Sequence, residues 1–318
     1  MKYKELGRTG LSVSVVGVGS GGPSQLGQNS GIAEGGVRQM VRRAFDLGIN
    51  FVDSAAGYGE SEAILGRVLE DVPRESYILG TKFHVVQKGE FKSPDEIRES
   101  VERSLTRLKT DYIDVLQIHG PEPNDYKRTA SLAIPIMQKL KEEGKCRFTG
   151  ISETYGRDNK HEMLPKAIAD GFFDTMMVGY NLLSPTPEHE ILPACQKAGI
   201  GVICMVAVRR ALSRPGLLKS NITEAKARGL IEQDALDDDG PLDWLLSEEV
   251  ESLPAAGYKY VAAHPALSTV LTGTANLDHL EANVKAILGP PLPDEVMARL
   301  RSIFGNVWEP LGDDISKR

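Results

Sequence analysis

The sequence predicts an α/β fold, a (β/α)8 barrel of the TIM type, preceded by a small β-hairpin and followed by one extra helix. Three observations carry this. Short apolar runs alternate along the chain with longer segments of helical period. There are eight such runs: Val15–Val18, Asn50–Asp53, Tyr77–Thr81, Val115–His119, Phe148–Ser152, Thr175–Val178, Gly201–Met205 and Thr269–Thr272. They read as continuous apolar stretches, the pattern of parallel strands covered on both faces. Eight such units in one chain favour a closed barrel over an open sheet.

The helical segments follow in order. Glu34–Leu47 places Val37, Met40, Val41, Ala44 and Phe45 on one face, and Gly48 stops it. Ser61–Leu69, Pro94–Leu108, Ser131–Glu143, His161–Ala169, Glu188–Ala198 and Asn276–Ile287 obey the same logic. Proline is best tolerated in a first turn, so Pro135 predicts that the fourth of these helices begins near Ile134. Ahead of the barrel, Tyr3–Leu6 and Leu11–Val13 flank Gly7-Arg8-Thr9-Gly10 and read as a hairpin plugging the barrel floor. Pro293–Phe304 reads as the extra helix. Between Arg214 and Leu253 the pattern is irregular, with an acidic turn at Asp237–Gly240. It reads as an excursion on the seventh unit within one domain spanning residues 1–318.

A chain of 318 residues suits one such barrel. With 25 % charged and 41 % apolar residues it can bury an ordinary core. A formal charge of −7 argues against nucleic acid and against anionic membrane surfaces as partners. No apolar run approaches the ~18 residues of a spanning helix, and Met1–Gly10 lacks the apolar segment of an export signal. Cys146, Cys195 and Cys204 form no C-x-x-C pair and read as reduced thiols, which points to a cytoplasmic protein. No metal is expected. His161-Glu162 lacks the second histidine of H-E-x-x-H, and the calcium-loop-like Asp237–Gly240 has Ala235 and Leu246 at its first and twelfth positions. Monomer and homo-oligomer are equally open.

In such barrels the active groups gather where strands end and loops begin. The second strand ends at Asp53, followed by Ser-Ala-Ala-Gly and Tyr58; the third leads into Lys82; the fourth ends at His119. Taken singly, each has an ordinary structural explanation: an Asp–Lys ion pair, a surface phenol, a satisfied histidine. An acid, a phenol, an amine and an imidazole at three successive strand ends point instead to catalysis, because each is expensive to bury without a partner.

Those residues lie in stretches with a family pattern. Asp53-x4-Tyr58, Gly80-Thr81-Lys82 and Leu108-Lys-Thr-Asp-Tyr-Ile-Asp114 followed by Val-Leu-Gln-Ile-His119 stand in order, with Leu6–Val13 before them and Glu143–Ser152 after. On these residues the sequence resembles the aldo-keto reductases, densely in its first half and loosely in its second. The resemblance implies a nicotinamide-dependent oxidoreductase that interconverts an aldehyde, ketone or sugar hemiacetal with its alcohol or lactone. Carbonyl reduction needs hydride at carbon and a proton at oxygen. Tyr58 would give the proton, helped by a neighbouring Lys82 cation that favours the phenolate. Asp53 would hold Lys82, and His119 would orient the carbonyl oxygen. In the oxidising direction Tyr58 becomes the base.

The resemblance also places the cofactor, NAD or NADP. Gly17-Val-Gly-Ser-Gly-Gly22 fits G-x-G-x-x-G, but Pro23 and a polar stretch follow it instead of a helix, so no Rossmann fold is expected. In the family this loop, here with Gly19 and Ser20, touches substrate and cofactor through its backbone. The Ser-Asn pair that holds the nicotinamide amide aligns with Ser152 and Glu153, the sixth-strand glutamine with Met177, and the stacking aromatic with Met205. Methionine can pack on a ring but cannot replace amide hydrogen bonds. Gly273, Thr274, Ala275, Asn276, His279 and Asn283 match the phosphate loop and helix start, where backbone amides favour anions. Family members preferring NADP carry Lys or Arg at the positions of Gly273, Ala275 and His279. Their absence weakly favours NAD, unless Arg209 or Arg210 supplies the charge.

Two other readings remain at this point. One is a barrel lyase or isomerase using Lys82 as a Schiff base. The other is a non-catalytic nicotinamide-binding regulatory subunit. The segments expected to shape the substrate pocket, Pro121–Lys127 and the region after Arg209, are the least family-like.

Overall fold

The structure, a computed structural model, describes residues 1–313. Its strands are β1 (Tyr3–Glu5), β2 (Ser12–Ser14), β3 (Val16–Gly19), β4 (Phe51–Asp53), β5 (Ile78–Phe83), β6 (Val86–Gln87), β7 (Glu90–Phe91), β8 (Ile113–Ile118), β9 (Cys146–Ser152), β10 (Thr175–Gly179), β11 (Gly201–Met205) and β12 (Leu267–Thr272). Its helices are α1 (Glu34–Asp46), α2 (Ser61–Val68), α3 (Pro94–Leu108), α4 (Tyr126–Glu142), α5 (Met163–Asp170), α6 (Ile191–Lys197), α7 (Pro215–Ala227), α8 (Leu253–Ala262), α9 (Leu277–Leu288) and α10 (Asp294–Phe304). Strands β3, β4, β5, β8, β9, β10, β11 and β12 pair in parallel and close, β3 bonding to β12, so the expected (β/α)8 barrel is formed. No described helix is long and apolar enough to cross a membrane.

The period-2 alternation of each strand separates two cores. Phe51, Val115, Met177 and Ile203 point into the lumen, where Leu6, Leu11 and Val13 of the β1–β2 hairpin close it from below. Val52, Leu79, Leu116 and Val178 point outward against the helices. The hairpin is thus the expected plug. Its turn is pressed so close to β11 that a Cβ on Gly7 would lie 2.1 Å from the Gly201 nitrogen.

Three local expectations are corrected. Helix α4 begins at Tyr126, not near Ile134, and carries Pro135 inside. One missing hydrogen bond is tolerated because Tyr126, Ala130, Ala133, Met137 and Leu140 are buried along its inner face. The excursion after β11 is less irregular than its sequence, since it contains α7. The barrel helix of the seventh unit, α8, has no counterpart in the sequence reading. Its residues Ala256 to Val261 are all buried, so no polar face marks its period.

Helix α3 shows how local signals fix a boundary. Ser93 and Glu96 form a capping box around Pro94 at the first helical position. It packs so tightly on α2 that a Cβ at Gly66 would meet the Arg107 carbonyl oxygen at 2.1 Å. Backbone cannot yield as a side chain does, so Gly66→Ala is expected to destabilise the fold by about 1–3 kcal/mol. Urea unfolding checks this, and an unchanged midpoint would contradict the α2–α3 contact.

Candidate active site

Lumen-facing alternation and register together bring the polar strand ends into one cluster. Asp53 pairs in register with Gly80, and Lys82 with Gln117. Thr81 points the other way, to the Glu62 carboxylate at 2.6 Å, which fixes Lys82 inward. The Lys82 ammonium donates to Asp53 Oδ2 and to the Ser54 carbonyl, each at 2.6 Å. Gln117 donates to the other Asp53 oxygen at 3.2 Å. Burial alone would discharge this ammonium. Asp53 and Tyr58 reverse that, and the Lys82 pKa stands above its ordinary value.

Tyr58 lies over this pair. Lys82 Nζ is 5.0 Å from its ring centroid, and His119 meets the ring edge to face at 5.4 Å. The ring also rests on Gly21, where a Cβ would come within 2.5 Å of it, so the first loop has to be side-chain-free at that point. Burial, reinforced by Lys82 and His84, holds the His119 imidazole well below its usual pKa. It is therefore neutral at neutral pH, with a single N–H to offer. Its Nδ1 is buried and has no hydrogen-bond partner among the described residues.

Two residues near this cluster escaped the sequence reading. Gln117 anchors Asp53. His84 stacks face to face on His119, with centroids 4.2 Å apart. It stands just past Lys82 on the same strand end, which is the signal that could have marked it. The β6–β7 hairpin that follows was also missed. Its Lys88-Gly89 turn, with both φ positive, is the clue.

The residues expected around the cofactor divide into two groups. Gly19, Ser20, Gly273 and Thr274 come together at the barrel mouth. The Ser20 amide donates to the Asp53 carbonyl, and a Cβ at Gly273 would lie 3.8 Å from the carbonyls of Gly19 and Gly21. Asn276 caps α9 through the His279 amide, Asn283 donates to Thr272 at 2.6 Å, and Ala275 is buried. This cradle of small residues beside the N-terminus of a 12-residue helix fits the phosphate end of a dinucleotide.

The second group is more engaged. Ser152 accepts the Gly120 amide at 2.9 Å. Both oxygens of Glu153 already accept bonds, one from the Gly179 amide and one in a pair with His161 Nδ1 at 2.9 Å, whose other nitrogen meets Thr186. The carboxylate thus ties two loops together. Met177 lies in the lumen and Met205 at its upper edge. Arg209 is paired with Asp313 and lies over the Tyr155 ring at 5.4 Å.

Comparison with known proteins places this geometry in context. The profile of the Aldo/keto reductase family matches residues 17–304. The chain is 32 % identical to L-galactose dehydrogenase of Arabidopsis thaliana, over 90 % of this chain and 88 % of that one. It is also 32 % identical to NADH-specific methylglyoxal reductase of Escherichia coli, over 70 % and 71 %. An aldo-keto reductase from Bacillus halodurans, solved in its holo form, superposes with a TM-score of 0.71 at 27 % identity, covering 99 % of this chain and 97 % of that one.

Proposed function

This chain belongs to the aldo/keto reductase family, and from that membership we propose that Tyr58 is the acid and base of a nicotinamide-dependent oxidoreductase. The observation that carries the proposal is the buried Lys82 ammonium, bonded to Asp53 and lying 5.0 Å from the centroid of the Tyr58 ring. A phenol gives up its proton more readily when a fixed cation stabilises the charge left behind. Asp53, held by Gln117, keeps that cation charged and in place. Neutral His119 directs its N–H to the substrate oxygen and orients the carbonyl for protonation by Tyr58. When bound, the nicotinamide cofactor exchanges a hydride with the substrate carbon. Gly19, Ser20, Gly273, Thr274 and Asn276 are the residues suited to hold its phosphates, and Ser152, Met177 and Met205 to pack around its ring.

The substrate we infer is a small carbonyl compound or sugar hemiacetal, in keeping with the substrates that the plant and bacterial relatives' names carry. The test is a panel of methylglyoxal, glyceraldehyde and aldohexoses with both cofactors, followed by absorbance of the reduced nicotinamide. Turnover of at least one is expected. Cofactor binding with no turnover would favour the regulatory-subunit reading, and borohydride trapping of substrate on Lys82 the Schiff-base one.

The cofactor we favour is NAD. No Lys or Arg stands between Gly273 and His279, and the Asp278 carboxylate sits in the first turn of α9. Arg209, one of the two cations that could compensate, is engaged by Asp313. The English name of the bacterial relative, NADH-specific, agrees. Affinity for NAD is expected to equal or exceed that for NADP in the unmodified protein. Ala275 is buried, so a test cation belongs at exposed His279. His279→Arg should shift preference toward NADP by about 1.5–3 kcal/mol, the scale of one charged hydrogen bond. Titration of both cofactors decides it; a clear preference for NADP in the unmodified protein would show that another cation serves the 2′-phosphate.

A further inference from the structure

At the end of the barrel away from Tyr58, the start of β12, the residue leading into β3 and the C-terminal ends of α8 and α9 line a partly open pocket of about 250 Å3. That is just below the about 300 Å3 at which small-molecule sites begin, so it suits a compact ligand. Val15, Ala263, Val270 and Ile287 give it apolar walls. Every charged side chain among its lining residues is a lysine: Lys2, Lys4 and Lys259. No carboxylate lines it.

Two of these lysines, the buried Lys259 and the exposed Lys4, are anchored by backbone carbonyls. Lys259 is 6 % exposed, and its ammonium donates to the Pro290 carbonyl at 2.6 Å. The Lys4 ammonium donates to the Leu267 carbonyl at 2.9 Å. Neither has a carboxylate partner among the described residues. An ammonium carries three donors, so each keeps donors beyond its anchor. Partial burial lowers the Lys4 pKa. The ends of α8 and α9 account for part of the arrangement, each contributing about half a negative charge. Three ammonium groups still leave a surplus of about two positive charges over those two helix ends.

We propose that this cavity binds a small organic anion, a carboxylate on a compact apolar body. The carboxylate would take the free donors of Lys4 and Lys259, and the body would cover Val270 and Ile287. Inorganic phosphate would satisfy the charge but leave those walls uncovered. The proposal is independent of the chemistry at Tyr58.

The experiment is titration of the 15N-labelled protein with benzoate, read by amide shifts. Saturable shifts at Ala263 and Ile287 are expected, with a dissociation constant of about 1 mM or tighter. Lys259→Met should weaken binding at least about tenfold, and Tyr58→Phe should leave it unchanged. If Lys259→Met does not fold, Lys4→Met carries the same expectation. Benzyl alcohol, with the same ring and no charge, should bind at least about tenfold more weakly. Absence of saturable shifts at these amides would overturn the proposal. So would equal binding of benzyl alcohol, which would show an apolar pocket only. Shifts confined to Tyr58 and His119 would place benzoate in the catalytic mouth instead, and tighter binding of inorganic phosphate would remove the apolar body from the ligand.

Discussion

Replacing Tyr58 by Phe is expected to lower turnover by about 10²-fold or more while leaving cofactor affinity nearly unchanged. The substitution removes one oxygen and little volume. The ring can keep its place over Gly21 and its edge contact with His119, so the geometry of the mouth should survive. What is lost is the hydroxyl of the ring that lies over the Lys82 ammonium. Protonation must then come from water, and the charge on the substrate oxygen rises without relief in the transition state. Steady-state kinetics and cofactor titration on the same preparation separate the two effects. Near-normal turnover would remove Tyr58 from the mechanism.

Lys82→Met should be nearly as damaging, with a second signature. The side chain keeps its length but loses its charge. The oxidation direction needs Tyr58 to accept a proton after giving one up, and without the cation that state forms only at higher pH. The limb on which alcohol oxidation rises with pH is therefore expected to move to higher pH. The variant also leaves the buried Asp53 carboxylate without its ion partner, a defect of about 3–5 kcal/mol. The double variant Asp53→Asn, Lys82→Met removes both charges and should recover stability without recovering activity. An unchanged pH profile alongside good activity in the single variant would break the link between Lys82 and Tyr58.

The proposed catalytic cluster was legible because each of its residues stands at or just beyond a strand end, and a barrel gathers strand ends by construction. Asp53, Lys82 and His119 needed no long-range information beyond the order of the strands. The same holds for α3, whose capping box and terminal proline are local. What escaped depends on partners distant in sequence or on burial. Helix α8 is hidden because it is covered all round. The tie from Glu153 through His161 to Thr186 joins separate loops, and a carboxylate replacing an amide gave no hint of it. The pairing of Arg209 with Asp313 spans most of the second half of the barrel, so the sequence could name the cation without finding the acid that occupies it.

The proposed mechanism couples proton transfer at Tyr58 to hydride transfer between a nicotinamide and a carbonyl carbon. It is tested most directly by supplying reduced cofactor carrying deuterium at C4 of the nicotinamide, in the stereochemical position that transfers, together with an accepted aldehyde. One deuterium is expected on the carbinol carbon of the product, with the hydroxyl proton drawn from solvent. Product formed without deuterium at that carbon, from either C4 position, would contradict it.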